Sequence, residues 1–236
     1  MKPVKIALWS GPRNISTAMM YSFGNRADTS IVDEPLFGYF LKHTGVWRPS
    51  REEVLATMDT DVSKLIKELC EPNTKTEIFF MKHIANHLID LDWSFLENFR
   101  NVILTRDPKK VLFSYSNHVK LPTMLDVAFE IQLQLLNYLK ANNLNYVVLD
   151  ADQFLLDPAG QLKKLCNSLK IPYDNNMLSW KPGPRLEDGI WAKYWYDSVH
   201  KSSGFKKGSN IESELPLHLE ELYIESLDIY KKLLKN

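Results

Sequence analysis

Short, continuous apolar runs alternate along the chain with longer stretches of helical periodicity. The apolar runs predict strands over residues 4–9, 30–32, 77–81, 101–104 and 146–149. Apolar residues recurring every three or four positions predict helices from the first loop to about 26 and over 52–71, 86–91, 108–119, 124–142, 158–169, 191–199 and 215–234. Apolar strands separated by helices are typical of a mostly parallel sheet covered on both faces. We therefore expect a three-layer α/β fold and, because no repeat or linker divides the sequence, a single domain over 1–236.

Polar residues follow four of the predicted strands at the point where each strand ends. They are the loop 10–17 and residues 33–34, 82–83 and 105–107. The carboxyl ends of parallel strands lie at one edge of a sheet, where open α/β sheets bind their ligands. We therefore expect these four groups to converge on one site.

The loop at 10–17 has the properties of an anion site. It carries the cation Arg13 and the hydroxyls of Ser16 and Thr17, and Asn14 or Ser16 is placed to cap the following helix. Free backbone N–H groups and the positive end of a helix dipole favour a phosphate or sulfate at such a position. The loop lacks the G-x-x-x-x-G-K-[S/T] pattern, so it is not a Walker A nucleotide loop.

Composition narrows the class of protein. The 29 Lys and Arg residues balance 29 Asp and Glu residues, which argues against a generic nucleic-acid binder. Cys70 and Cys166 lie far apart in predicted helices, which suggests buried thiols in a reducing compartment. The first apolar run is too short for a signal peptide, and no window approaches the 18 apolar residues of a membrane span. We expect a cytoplasmic protein with no membrane partner.

Two motifs resemble those of the sulfotransferase family. Between their first strand and first helix, sulfotransferases carry Pro, Lys, Ser, Gly, Thr and Thr, which bind the 5′-phosphosulfate of their donor. The same positions here are Pro12, Arg13, Asn14, Ile15, Ser16 and Thr17. Family members hold the donor's 3′-phosphate with an Arg after a later strand and a Ser eight residues on, and Arg106 and Ser114 have that spacing.

A third stretch, 200–208, resembles the basic, glycine-containing loop that closes over the donor's 3′-phosphate near the family's C-terminus. Its candidate contacts are Lys201, Ser202, Ser203, Gly204 and Lys206. The resemblance therefore reaches both ends of the chain, in the family's order. It implies a P-loop NTPase-like form of the α/β fold.

The resemblance also implies a reaction. The donor would be 3′-phosphoadenosine-5′-phosphosulfate (PAPS), the product 3′,5′-ADP, and no metal would be needed. A sulfuryl group would pass in line to a hydroxyl or amine of a small-molecule or sugar acceptor. Arg13 would stabilise the charge that grows on the oxygen bridging sulfur and phosphate, while Ser16 and Thr17 would hold the 5′-phosphate.

Two residues are candidates for the base that takes the acceptor's proton. Many sulfotransferases keep a His after the third strand, which points to His83; some bacterial and carbohydrate-acting members use a Glu after the second, which points to Glu34. We favour Glu34, because modest desolvation raises the pKa of a carboxylate at the ligand edge into a useful range. Lys82 is a candidate contact to the sulfuryl group.

Aromatic residues supply candidates for the organic parts of the two substrates. Residues 36–49, which we expect to be irregular, offer acceptor contacts at Phe37, Tyr39, Phe40 and Trp47, and residues 194–196 offer further ones. The adenine of the donor is expected to stack on Trp191, Trp195 or Phe205. His87 and His118 are expected to be structural.

Two other functions stay open on the sequence. A kinase with an atypical phosphate loop would also bind a nucleotide, although the Walker Lys is missing and no Asp is placed for magnesium. A non-catalytic, nucleotide-binding relative is the second alternative. It is suggested by Ile15, which stands where sulfotransferases have Gly and would crowd the sulfate.

Overall fold

The computed structural model describes residues 2–206 and 214–235, whose strands form one parallel sheet. The strands are β1 (Val4–Ser10), β2 (Thr29–Asp33), β3 (Ile78–Ile84), β4 (Arg100–Thr105) and β5 (Tyr146–Asp150). Their order is β2-β3-β1-β4-β5, and each neighbouring pair is parallel. The chain crosses from one side of β1 to the other between β3 and β4, which creates a topological switch point beyond the carboxyl end of β1.

Helices connect successive strands along the chain, and more helices follow the last strand. The α-helices are α1 (Ser16–Gly24), α2 (Phe37–Thr44), α3 (Arg51–Thr57), α4 (Val62–Cys70), α5 (Pro108–Tyr115), α6 (Met124–Val127), α7 (Phe129–Ala141), α8 (Ala151–Leu156), α9 (Pro158–Ser168), α10 (Ala192–Trp195), α11 (Asp197–His200) and α12 (Glu220–Leu234). Turns of 3₁₀ helix span Ala85–Leu88, Trp93–Asn98, Asn175–Leu178 and Leu217–Leu219. Within the described ranges no helix has the length and apolar character needed to cross a membrane.

Alternate residues of β1 enter two separate cores. Leu8 packs with Met20 of α1 and Leu165 of α9, whereas Trp9 packs on the other face with Leu136 of α7. This cover on both faces explains why the strands are continuously apolar rather than alternating. The three-layer α/β fold predicted from the sequence is confirmed, while the single domain over 1–236 stays a prediction.

The helix predicted over 52–71 is in fact two helices, α3 and α4. The backbone is extended at Met58, and Asp61 caps α4 by accepting hydrogen bonds from the N–H groups of Ser63 and Lys64 at 3.0 and 3.2 Å. A carboxylate that binds nearby backbone N–H groups ends one helix and starts another. Apolar periodicity alone carries no signal for that competition.

Three further differences from the predicted elements shape the site. Residues 36–49, expected to be irregular, contain α2, which ends at Gly45 with a left-handed φ of +67°. The helix predicted over 124–142 is interrupted by the left-handed Ala128, so that the short α6 precedes α7. Strand β3 also continues to Ile84, which places Lys82 and His83 inside the strand. Because successive strand residues project to opposite faces, these two side chains diverge.

Candidate functional site

A cavity of about 410 Å³ lies at the carboxyl edge of the sheet, where β1, β2, β3 and β4 end. The predicted site residues that line it are Pro12, Arg13, Asn14, Ile15, Ser16, Thr17, Glu34, Phe37, Lys82, Arg106, Ser114, Ser202, Gly204 and Lys206. The structure therefore brings the polar strand ends together, as the sequence analysis expects.

The charged residues of the cavity wall form two groups. The basic group comprises Arg13, Arg106 and Lys206, and the ion-pair group comprises Glu34, Lys82, Arg48 and Asp126. The basic group faces the loop at 10–17 and the start of α1. The ion-pair group lies where β2, β3 and α6 meet.

Arg13 and Ser114, predicted at opposite ends of one nucleotide, are in contact. The Arg13 Nε donates to Ser114 Oγ at 2.9 Å, and its Nη1 donates to the Trp195 carbonyl at 3.3 Å. Arg106 Nη1 donates to the Arg13 carbonyl at 3.0 Å. Burial, followed by the charge of Arg106, lowers the pKa of Arg13. These two cations thus lie side by side on one wall, an arrangement that a polyanionic ligand would stabilise.

The start of α1 is open to a ligand. Its N-cap is Ile15, which provides no side-chain cap, and the Asn14 amide instead donates to the Leu104 carbonyl at 2.8 Å. Neither Asn14 nor Ser16 caps the helix, contrary to expectation; Ser16 is its first residue. The first-turn N–H groups therefore lack intrahelical acceptors and suit an anion. Ile15 is partly buried and packs against the core behind the loop.

Arg106 is held loosely by a carboxylate. Its Nε lies 3.6 Å from Asp152 Oδ1, beyond hydrogen-bond distance, while Lys110 Nζ lies 2.8 Å from the same oxygen. The Arg106 Nε is buried and has no partner in the described part of the chain. This guanidinium keeps a donor available for an anion, as a phosphate site requires.

Glu34 and Lys82 form the centre of the ion-pair group. Lys82 Nζ donates to Glu34 Oε1 and to the Tyr196 hydroxyl oxygen at 2.6 Å, and it lies 3.0 Å from Asp33 Oδ1. Tyr196 in turn donates to Asp33 Oδ2 at 2.7 Å. Glu34 has a left-handed φ of +44° and Arg13 one of +57°. Two non-glycine residues of one cavity thus hold backbone conformations that favour glycine, a feature that clusters at functional sites.

The pKa values in this network follow from burial and neighbouring charge. Burial raises the pKa of Glu34, and the opposing charge of Lys82 reduces this rise without cancelling it. Burial alone lowers the pKa of Lys82, but Asp33 and Glu34 outweigh it and the net pKa is raised. Lys82 therefore keeps its proton, whereas Glu34 is a carboxylate with increased affinity for one.

His83, the other candidate base, does not line the cavity. It is fully buried and stacks on Trp9, its partner in the β1–β3 register, with ring centroids 4.1 Å apart. Burial, helped by Lys82, lowers its pKa to about 3. The imidazole that does line the cavity is His87, whose Nε2 lies 3.8 Å from Glu34 Oε2. Burial also lowers the pKa of His87 well below its usual value.

Sequence reasoning missed several wall residues. Arg48 pairs with Asp126 although 78 residues separate them, and no local pattern signals such a contact. Asn86 and His87 lie two and three residues after the end of β3, and Tyr115 follows Ser114. Their closeness in sequence to predicted site residues was the one local indication that they line the cavity. Burial raises the pKa of Tyr115 to about 12.

Other predicted contacts lie away from the cavity. Tyr39 is buried and donates to the Ile89 carbonyl at 3.0 Å, and Trp47 is 70% exposed. Lys201 is exposed and pairs with Asp197, and Ser203 does not line the wall. Residues 207 and 208 of the basic loop lie outside the described residues. Of the aromatic residues predicted as acceptor contacts in this stretch, Phe37 and Phe40 line the cavity and Tyr39 and Trp47 do not.

A family model of the sulfotransferase domain matches residues 4–234. The chain belongs to the sulfotransferase family. The match covers the loop at 10–17, the ion-pair group and the 200–206 segment together, so the whole cavity lies within the family's domain.

Relatives and solved structures agree on the domain. Branched-chain-amino-acid aminotransferase-like proteins 1 and 2 of Arabidopsis thaliana are 37% and 34% identical, over 97% and 95% of this chain. The match covers only 41% and 40% of those proteins, so the chain spans about two fifths of their length. The sulfotransferase domain of the curacin biosynthetic pathway covers 99% of this chain and 98% of its own, with a TM-score of 0.57 and 14% identity.

The sulfotransferase of Alicyclobacillus acidocaldarius is a second structural neighbour. It is 11% identical, with a TM-score of 0.55, and the match covers 100% of this chain and 97% of that one. Both neighbours show the fold, which is the P-loop NTPase-like α/β fold of sulfotransferases.

Proposed function

We propose that this sulfotransferase domain moves a sulfuryl group from PAPS to a hydroxyl of a small acceptor and releases 3′,5′-ADP. The observation that carries the proposal is one cavity that joins the basic group to the buried carboxylate of Glu34. The basic group provides cations for a doubly phosphorylated nucleotide, and Glu34 provides a site for the acceptor's proton.

The residues of the basic group suit the donor's two anionic ends. The open start of α1 and the hydroxyls of Ser16 and Thr17 fit the 5′-phosphosulfate. Arg106 donates to the Arg13 carbonyl, and Arg13 donates to Ser114. Both cations thus stand close to the Ser114 hydroxyl, which fits the 3′-phosphate. Lys206, with Ser202 and Gly204, lines the same wall and would close over that phosphate.

The transfer needs a proton acceptor and a stabilised leaving oxygen. As the acceptor oxygen bonds to sulfur, the bond from sulfur to the bridging oxygen breaks, and its electron pair stays on 3′,5′-ADP. Arg13 stabilises that oxygen, and the acceptor's proton passes to the Glu34 carboxylate. When Glu34 becomes neutral, Lys82 still has Asp33 at 3.0 Å, so no buried ammonium is left unpaired.

Nucleotide selectivity tests the donor assignment. Calorimetry should show 3′,5′-ADP binding at least tenfold more tightly than 5′-AMP, since a charge-assisted phosphate contact contributes about 1.5–3 kcal/mol. Arg106→Ala should remove that preference, because only 3′,5′-ADP carries the 3′-phosphate. Lys109→Ala is the matched control: it removes a cation three residues further along the chain, in the first turn of α5, that does not line the cavity. Equal losses of both nucleotides with Arg106→Ala would contradict the assignment.

Turnover tests the base. With PAPS and a hydroxyl acceptor, Glu34→Gln should lower kcat roughly 10²–10⁴-fold while 3′,5′-ADP affinity stays within error. A variant that keeps the full rate at saturating acceptor excludes Glu34 as the base and moves the role to His87. Binding of 3′,5′-ADP without turnover on a broad acceptor panel would favour the non-catalytic alternative. Tighter binding of magnesium ATP than of 3′,5′-ADP would favour the kinase alternative, which the family match does not support.

A further inference from the structure

The two charged groups of the cavity differ in their balance of charge. In the ion-pair group two cations, Lys82 and Arg48, are matched by two carboxylates, Glu34 and Asp126. A third carboxylate, Asp33, lies 3.0 Å from Lys82 and is not itself part of the wall. This cluster therefore has one carboxylate more than it has cations. The basic group, by contrast, holds an excess of positive charge beside the loop at 10–17.

Both cations of the ion-pair group are already neutralised. Arg48 Nη2 donates to Asp126 Oδ1, and its Nη1 donates to the Trp47 carbonyl at 2.8 Å. Lys82 is shared between Glu34 and Asp33. An anion placed here would meet buried carboxylates without an unpaired cation, and in a site of low dielectric that repulsion is large.

The same wall carries buried polar atoms that lack partners. The Asn86 side chain donates through Nδ2 to the Leu125 carbonyl at 3.1 Å, which fixes its amide so that Oδ1 remains an acceptor. Neither this Oδ1 nor His87 Nδ1 has a hydrogen-bond partner among residues 2–206 and 214–235. Both side chains are more than nine-tenths buried and line the cavity. Asn86 Oδ1 can only accept, so a ligand that donates an N–H or O–H group would satisfy it.

Aromatic rings enclose these atoms. Phe37 and Phe40 lie against the His87 ring, with centroids 5.2 and 4.9 Å away, and Trp191 meets Phe37 edge-on at 5.0 Å. Such walls exclude water from a compact ligand, and their π faces also attract an ammonium group.

We propose that the acceptor is a small alcohol without an anionic group that carries a second N–H or O–H donor close to the reacting hydroxyl. This inference rests on the proposed sulfuryl transfer. The reacting hydroxyl lies toward Glu34, and the second donor binds Asn86 Oδ1. The Arg48–Asp126 pair selects charge: its carboxylate disfavours anionic acceptors and its guanidinium limits the advantage of cationic ones.

A series of acceptors on one carbon chain tests the proposal. The members are 1,3-propanediol, 3-aminopropan-1-ol, 3-hydroxypropanoate and 1-butanol, assayed for 3′,5′-ADP release from PAPS. The kcat/KM of the diol and of the amino alcohol should be at least about tenfold higher than that of the hydroxy acid, a ratio that corresponds to one repulsive buried contact. Both should also have a higher kcat/KM than 1-butanol, which lacks the second donor. The hydroxy acid as the best substrate, or no turnover of any member while 3′,5′-ADP binds, would overturn the proposal. Failure of 3′,5′-ADP itself to bind would instead overturn the proposed function.

Two substitutions separate charge selection from a purely structural role. In Asp126→Asn the amide oxygen can still accept the hydrogen bonds of Thr123, while the oxygen that pairs with Arg48 is lost. The variant should raise kcat/KM for 3-hydroxypropanoate relative to 3-aminopropan-1-ol. Arg48→Met should shift the same ratio in the opposite direction. Affinity for 3′,5′-ADP, which belongs to the basic group, should stay unchanged in both variants. If the pair serves only stability, both variants will lower the melting temperature and leave the ratio of the two rates unaltered, and that result would refute the proposal.

Discussion

Replacing Lys82 by Met tests the central network of the site. Lys82 is 1% exposed and neutralises two carboxylates that are themselves buried, Asp33 and Glu34. Methionine has a similar length but no charge. The substitution therefore leaves the carboxylates of Asp33 and Glu34 buried close together without the cation that lay between them. Removing one partner of a buried ion pair costs about 3–5 kcal/mol. We expect a loss in the free energy of unfolding of that size at pH 7.5.

The loss should depend on pH, and its sign follows from Glu34. The pKa of Glu34 is raised above its ordinary value of 4.5 even with Lys82 present, and removing that cation raises it further. Between the unfolded and the folded pKa, the native state binds more protons than the unfolded chain, so stability falls as pH rises through that window. The variant should therefore recover part of its stability when the pH is lowered from 7.5 to 5.5.

Urea denaturation at both pH values measures this effect. Adding Glu34→Gln to the Lys82→Met background should recover stability at pH 7.5, because it removes one of the unpaired charges. Lys201→Met is the matched control, since Lys201 and its partner Asp197 are both exposed and such pairs contribute little. A loss below about 1 kcal/mol, or one that is the same at pH 5.5 and 7.5, would refute the charge argument.

Three further predictions address the surroundings of the site. Gly11→Ala would place a Cβ 2.9 Å from the Val127 carbonyl oxygen, so the backbone of the loop must move. We expect the free energy of unfolding, measured by urea denaturation, to fall by about 1–3 kcal/mol and 3′,5′-ADP to bind more weakly. Unchanged binding would contradict this. In His83→Phe the free energy of unfolding should stay equal or increase and turnover should be preserved. Both buried imidazole nitrogens of His83 lack hydrogen-bond partners in the described ranges, so no hydrogen bond is lost. A loss of turnover with normal folding would favour His83 as the base. Asp61→Ala should lower stability by about 1 kcal/mol through loss of the α4 cap and leave kcat unchanged.

Local pattern was sufficient for the sheet and for one part of the site. Each strand was found because a strand buried on both faces is continuously apolar, whatever its neighbours are. The loop at 10–17 and Arg106 were found because a ligand edge follows from strand direction alone. The helix boundaries at 58–61 and at Ala128 were missed, because a side-chain cap and a single left-handed residue leave apolar periodicity unchanged.

The choice between His83 and His87 shows where local pattern stops. Lys82 and His83 are adjacent in sequence, yet the pleat sends one into the cavity and the other against Trp9. The apolar run ends at residue 81, which predicts that both lie just beyond the strand. Once β3 is known to extend to Ile84, their divergence follows from strand geometry.

The sequence by itself determined the α/β class, the parallel direction of the strands and the place of the first loop at the carboxyl edge of the sheet, because these depend on residues close together along the chain. Only the tertiary structure decided which charges neutralise one another. Lys82 contacts Asp33 at the end of β2, Glu34 directly after it and the hydroxyl of Tyr196, and Arg48 contacts Asp126. The charge of the cavity wall is therefore set by elements far apart in sequence. Electrostatic energy depends on distance in space and on burial, and neither quantity is written in the order of the residues.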